Sequence, residues 1–121
     1  MAKSNPMNLY AGPWRIVSMS AWDLEFVDEE EKGYFEFDQN YCGQFHFGYV
    51  HGQMSCFVTT RNGKPVVKWT WEGNDEMDPA HGRGWAVVNG DKLQGMIFFH
   101  GGDESEFVAK NEIQNRTKDK P

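Results

Sequence analysis

The feature that most constrains the fold is an alternation of apolar and polar residues that runs through most of the chain. A period of two is typical of half-buried β-strands, in which successive side chains point to opposite faces. The alternation predicts eight strands, at residues 13–20, 33–38, 43–50, 53–61, 65–72, 84–89, 92–100 and 105–110. The connection 20–32 is ambiguous: Ser20 and Asp23 would cap a short helix, but its alternating apolar residues favour a strand extension or irregular structure, which we prefer.

Turn residues set the register of the predicted strands. Asn62-Gly63 predicts a two-residue hairpin turn, because both of its positions need positive φ, and that hairpin pairs Cys56 with Trp69. A second turn, predicted at His51-Gly52, pairs Phe47 with Cys56. These registers place the following apolar side chains on one face: Phe45, Phe47, Tyr49, Met54, Cys56, Val58, Val67, Trp69 and Trp71.

The third turn predicts a dimer contact as well as a register. Asn89-Gly90 is interpreted as a three-residue loop with Gly90 as a bulge, which pairs Trp85 with Leu93 and points both side chains inward. Met96 and Phe98 then point outward. An outward apolar patch of that kind would suit a homodimer interface.

Sequential antiparallel strands with short links predict an all-β fold, a single eight-stranded up-and-down barrel. A barrel removes the exposed strand edges, and the alternative is the same meander flattened into two packed sheets. The domain is predicted to span residues 1–110, followed by a polar, frayed tail at 111–121. Nine Phe, five Trp and four Tyr supply the bulk for its core.

Charge and composition exclude several classes of function. A net charge of −6 argues against binding to a phosphate backbone and favours a basic protein, a cation or an uncharged ligand. The longest apolar run, at 96–99, is far shorter than the ~20 residues of a membrane helix, and residues 1–9 contain no apolar stretch typical of a signal peptide. Cys42 and Cys56 are expected to be unpaired thiols, which indicates a cytoplasmic protein.

A short motif at the start of the first strand carries a family resemblance. Gly12-Pro13-Trp14, followed by eight antiparallel strands, resembles the lipocalin and fatty-acid-binding (calycin) barrels. The resemblance implies that Trp14 sits at the closed end of a barrel that carries a hydrophobic ligand at its opposite, open mouth. The stretch 69–109 looks like small bacterial proteins of no assigned function, so it implies no activity.

The segment from Trp71 to Trp85 is interpreted as one long acidic loop, and long loops in compact β domains are often functional. In an up-and-down barrel alternate links lie at the same end. One end would therefore hold this loop, His51, His81, His100 and twelve of the eighteen carboxylates. Those carboxylates are Asp23, Glu25, Asp28, Glu29, Glu30, Glu31, Glu72, Asp75, Glu76, Asp78, Asp103 and Glu104.

This acidic end allows three interpretations. It could be a solvated surface, in which Arg83 clamps Asp75 or Asp78. It could be the mouth of a binding site for a small apolar or aromatic ligand. It could also dock a basic protein or hold a divalent cation, for which the carboxylate candidates are Asp75, Glu76 and Asp78, although their spacing differs from an EF-hand.

We therefore expect a binding protein rather than an enzyme, with no cofactor. The sequence contains no nucleophile elbow, phosphate loop or zinc-protease motif. A small hydrophobic ligand is the first expected partner and a basic protein is the second, with no nucleic acid and no membrane. The predicted ligand-binding residues are Trp14, Trp69, Trp71, Arg83, Trp85, Phe99 and His100.

Overall fold

Eight antiparallel strands form a closed barrel in the computed structural model, which describes residues 5–112. The strands are β1 (Gly12–Met19), β2 (Tyr34–Phe37), β3 (Cys42–Phe47), β4 (Val50–Arg61), β5 (Lys64–Asp75), β6 (Asp78–Asn89), β7 (Lys92–Phe99) and β8 (Glu104–Asn111). Each strand pairs with the next, and β1 pairs with β8 to close the sheet. The predicted eight-stranded up-and-down barrel is therefore confirmed, and the chain does not adopt the flattened two-sheet alternative.

The hairpin between β4 and β5 has the register that its turn predicts. Asn62 and Gly63 have φ values of 54° and 79°, as the two-residue turn requires. Cys56 pairs with Trp69, and Met54 with Trp71. This local signal succeeds because the turn needs only the conformational freedom of its own two residues.

The turn between β3 and β4 lies elsewhere than predicted. It is formed by Gly48 and Tyr49, not by residues 51–52, so that Phe47 pairs with Val50 and not with Cys56. Gly48 has φ 57°, and a Cβ there would meet the ring of Phe26. The partner of Phe47 is displaced by six residues, an even number, so the predicted inward face survives the error, except for Tyr49, which lies in the turn and not on that face.

The predicted acidic loop is also wrong, because its residues continue β5 and β6 as one long hairpin. Only Glu76 and Met77 form the turn, with Glu76 at φ 56°. Glycine at two positions lets neighbouring strands approach closely. A Cβ on Gly73 would lie 1.8 Å from the His51 carbonyl oxygen, and one on Gly82 would lie 1.8 Å from that of Phe98. Glycine at these two positions is therefore needed for contact between the strands.

The β6–β7 register is a third correction. The turn is Gly90-Asp91, which pairs Trp85 with Met96 instead of Leu93. Trp85 consequently faces outward and is half-buried, while Ala86 beside it faces the core and is fully buried. The inward positions of β6 accept only small residues, because a Cβ on Gly84 would lie 2.5 Å from the ring of Trp69.

The β1–β2 connection contains a short helix and no strand, so the predicted strand extension was wrong, while the rest of the connection is irregular. Helix α1 (Leu24–Val27) begins after Asp23, whose side chain accepts a hydrogen bond of 2.9 Å from the Phe26 amide. Beyond the helix, the Asp28 carboxylate binds Arg15 at 2.7 and 3.0 Å and accepts from the Gly33 amide at 2.9 Å. These bonds tie the connection to the barrel wall.

Aromatic side chains fill the middle of the barrel. The rings of Phe35 and Phe107 stack with centroids 4.3 Å apart, and those of Phe45 and Trp71 meet edge to face at 5.0 Å. A 3-10 turn at Pro6–Leu9 precedes β1 at the end opposite α1, where the Tyr10 carbonyl accepts a 2.8 Å hydrogen bond from the Trp14 indole. Room for a ligand must therefore be sought at the barrel ends or on its outer surface.

The two cysteines are free thiols, Cys42 exposed and Cys56 buried. Cys42 pairs with Ser55 in the sheet, next to Cys56, so the cysteines are closer than the predicted register implied. Burial raises the pKa of Cys56 from 9.0 to about 12. Of the predicted frayed tail at 111–121, Asn111 belongs to β8, and positions 113–121 lie outside the described residues.

Candidate functional site

Four links meet at one end of the barrel, as the topology predicted. They join β1 to β2, β3 to β4, β5 to β6 and β7 to β8, and we call this end the acidic end. Eleven of the twelve carboxylates assigned to it lie in the links or beside them, and the twelfth, Glu72, lies inside β5 opposite His81. The acidic end therefore exists, although a hairpin and not a loop carries its central part.

Several of these carboxylates have structural partners. Asp28 binds Arg15, and Glu30 and Glu31 contact the buried ring of His46. The predicted clamp does not form: Arg83 faces outward, with its guanidinium carbon 4.8 Å from the centroid of the Phe98 ring. Part of this end is thus held by ion pairs, but not by the pair that was predicted for Arg83.

A cleft opens between α1 and the tips of β5–β6 and β7–β8, and we call it the rim cleft. Its volume is about 360 Å³. Trp22 is the central ring, with centroids 5.9 Å from Phe26, 5.3 Å from Phe47 and 6.0 Å from Phe99. The apolar lining consists of Trp22, Phe26, Val50, Pro79, Ala80 and Phe99. Trp22, Phe26 and Phe99 are only partly buried, so their rings form an apolar surface that solvent reaches.

Polar groups line the outer part of the rim cleft. The rings of His81 and His100 stack with centroids 4.7 Å apart, and the His100 amide donates a 2.8 Å hydrogen bond to the His81 carbonyl. Asp75 and Asp103 lie on the same cleft and are exposed. The cleft can therefore stack on an aromatic group and hydrogen-bond to its polar end, while its two carboxylates disfavour an anion.

The structure divides the predicted ligand-binding residues into three locations. Trp14, Trp69 and Trp71 are core residues, 2%, 1% and 3% exposed. Phe99 and His100 line the rim cleft. The remaining two, Arg83 and Trp85, lie on the outer surface.

That outer surface forms a second depression, which we call the outer groove, of about 290 Å³. Arg83 and Trp85 border it together with Phe57, which is 54% exposed. Arg61 lies over the Trp85 ring, with its guanidinium carbon 5.4 Å from the centroid. Met96 and Phe98 face outward as predicted, and their register partners on β6 are Trp85 and Arg83.

Sequence reasoning missed Trp22 and His81 as candidates for the cleft. Trp22 lies in the connection for which a strand extension or irregular structure was preferred, and the signal that favoured the helix was Asp23, a good N-cap residue. His81 was predicted at the same end as His100 but in a loop, so the stacking of their rings was not predicted. Both errors come from contacts that depend on which links fold over the barrel end.

The predicted carboxylate metal candidates lie at the β5–β6 tip, where Asp75 pairs directly with Asp78 across the turn. Within residues 5–112, the only group of histidine, cysteine and carboxylate side chains close enough to share an ion is elsewhere and consists of Glu30, His46 and His51. Their potential ligand atoms all lie within 4.8 Å of one another. This cluster combines nitrogen and oxygen donors, which suits a transition metal better than calcium.

No helix within residues 5–112 is long and apolar enough to cross a membrane. The chain matches no protein-family model, and no curated protein and no solved structure is significantly similar to it, so its fold is supported by its own geometry and the calycin resemblance stays a prediction.

Proposed function

We propose that this protein is a non-enzymatic binding protein that takes a small apolar or aromatic ligand in the rim cleft. The observation that carries this proposal is the cluster of partly exposed rings around Trp22 at one end of a barrel whose interior is otherwise packed. Apolar side chains that remain open to solvent in a concave site are typical of ligand pockets.

The lining of the cleft favours one class of ligand. Trp22 and Phe99 offer ring faces and edges to an aromatic group, and His81 and His100 offer ring nitrogens that can donate or accept hydrogen bonds. The carboxylates in the cleft oppose a ligand acid. The preferred ligand is therefore an uncharged or cationic aromatic molecule that fits a cleft volume of about 360 Å³.

Fluorescence titration with indole and phenyl ligands, paired as amine and carboxylic acid, tests this proposal. We expect the amines to bind and the acids to bind more weakly, with loss of binding in Trp22→Leu and weakening in His81→Ala. Trp85→Phe is the matched control, because Trp85 is a half-buried indole outside the rim cleft. Binding that survives Trp22→Leu but disappears in Trp85→Phe would move the site to the outer groove, and binding by no ligand in the panel would count against the proposal.

Docking of a basic protein is the second candidate. Its support is a group of exposed carboxylates at the β5–β6 and β7–β8 tips, comprising Asp75, Glu76, Asp78 and Asp103. Within the described part of the chain, ion pairs engage Asp28, Glu30 and Glu31 but none of these four. A lysine-rich peptide should then bind at low salt. It should dissociate near 0.15 M salt, where the attraction between exposed charges more than about 8 Å apart is largely screened. Equal affinity at both salt concentrations would reject this candidate.

A further inference from the structure

A buried histidine on the outside of the barrel is the starting point for a metal site. His46 points away from the core, yet only 3% of it is exposed, because the chain after α1 folds over it. That chain brings Glu31 Oε2 to 2.9 Å from His46 Nδ1 and Glu30 Oε1 to 2.9 Å from His46 Nε2. One imidazole is thus enclosed between two carboxylates.

The second histidine of the cluster comes from the neighbouring strand. His51 on β4 is the direct register partner of His46 on β3, and their rings stack with centroids 3.8 Å apart. Its Nε2 lies 3.3 Å from the same Glu30 Oε1 that contacts His46. One carboxylate oxygen therefore faces the Nε2 atoms of both histidines.

Both ring nitrogens of His46 face oxygen atoms. Glu31 lies at Nδ1, and Glu30 lies at Nε2 together with the Gly48 carbonyl at 3.1 Å. This arrangement suits a metal ion bound at Nε2, because Nδ1–H then donates to Glu31.

We propose that this cluster binds a divalent transition metal, zinc in the first instance, through His46 Nε2, His51 Nε2 and Glu30 Oε1. Tetrahedral zinc with bonds of about 2.0–2.1 Å separates its ligand atoms by about 3.3 Å. The two separations between Glu30 and the histidines, 2.9 and 3.3 Å, are close to that value. The exposed ring of His51 would turn out of its stack on His46 when the ion binds, so that the Nε2 lone pairs of both rings point at it. Two histidines and a carboxylate leave the fourth position for water or another ligand.

Glu31 acts in this site as a positioning residue. A histidine that binds metal commonly donates its other ring N–H to a carboxylate, which fixes the tautomer and the ring orientation. Glu31 accepts in that way from His46 Nδ1. The donor set also separates metals, since two imidazole ligands favour zinc, cobalt, nickel or copper over magnesium or calcium.

Binding of the ion would tie the β1–β2 connection to β3 and β4. Glu30 belongs to that connection, and the same connection carries Trp22 and α1. The metal would therefore hold the wall of the rim cleft in place, although the site stands on its own geometry and does not depend on the proposed ligand.

Calorimetric titration of chelator-treated protein with zinc chloride tests the site, with cobalt(II) absorption as a second readout of tetrahedral nitrogen and oxygen coordination. We expect one ion per chain and a metal-dependent rise in Tm. Glu30→Gln and His51→Ala should each weaken zinc binding at least tenfold, and Glu31→Gln should weaken it about 10- to 100-fold. The altered side chains of Glu30 and His51 are 44% and 54% exposed, so these variants are expected to fold.

Glu29→Gln is the matched control, because it removes an exposed carboxylate adjacent in sequence but outside the cluster. It should bind zinc like the parent protein. Failure of the parent to bind zinc or cobalt, or affinity unchanged by Glu30→Gln and His51→Ala, would overturn the proposal. Because the readout is metal binding, a negative result leaves the aromatic-ligand proposal untouched, and the reverse also holds.

Discussion

Asp28 is the residue whose substitution best tests how the acidic end is held together. Its carboxylate makes two charge-assisted hydrogen bonds to Arg15 and accepts a third bond from the Gly33 amide. Asp28→Asn keeps the shape of the side chain but removes its charge, and turns an NH₂ group toward a guanidinium that can only donate. We expect the variant to fold with a loosened β1–β2 connection.

The expected loss follows from the burial of the pair. The side chains of Arg15 and Asp28 are 17% and 27% exposed. Ion pairs on the surface contribute about 0–1 kcal/mol, and breaking a buried pair costs about 3–5 kcal/mol. The intermediate burial here gives a loss of about 2 kcal/mol in the free energy of unfolding, which lowers Tm by roughly 6–12 °C in a domain of this size.

Urea unfolding followed by tryptophan fluorescence and circular dichroism measures this loss. Asp23→Asn is the matched control, because it makes the same chemical change at the N-cap of α1, where asparagine caps as well as aspartate. The control should change stability by less than about 0.5 kcal/mol. If Asp28→Asn is as mild as the control, solvent screens the pair and the reasoning from burial is refuted.

Four further predictions concern other parts of the barrel. Under native conditions near pH 8 an alkylating reagent should modify Cys42 but not Cys56, whose pKa burial raises to about 12; mass spectrometry showing both modified would contradict this. The neutral form of Cys56 is favoured by folding, so its contribution to stability is complete below pH 9.0 and is lost as pH rises toward 12, which urea titrations across that range measure. Tyr10→Phe should leave the free energy of unfolding unchanged or raise it by up to about 1 kcal/mol, because the buried hydroxyl has no partner among the described residues; a clear loss would mean that the hydroxyl is satisfied by water. The homodimer predicted from the outward apolar residues should appear as a concentration-dependent mass in sedimentation equilibrium and be lost in Phe98→Asp; a monomer at high concentration would dispose of it.

The strand pattern and one turn could be read from the sequence because they depend on local properties. Alternating hydrophobicity marked all eight strands, and Asn62-Gly63 set the β4–β5 register through backbone freedom alone. The misplaced β3–β4 turn did little harm, since an even displacement keeps the side chains of the paired strands on their predicted faces. The wrong register of β6 did matter, because it predicted Trp85 as a core residue, whereas Trp85 faces outward.

The sites depended on packing that no local pattern encodes. Small residues face inward on β6 because Trp69 already fills the barrel there. The large side chain of Trp85 therefore did not indicate which face of β6 points inward. Trp22 reaches the rim cleft only because α1 closes that end, and Glu30 meets His46 and His51 only because the connection folds over β3 and β4.

The sequence by itself determined an eight-stranded meander and the acidic character of one end, because periodicity and the order of links are properties of the chain. Only the tertiary structure decided which of those charged and aromatic groups meet. The physical reason is that residues distant in sequence compete for one closed interior and one rim, and the outcome depends on the volumes of all of them at once.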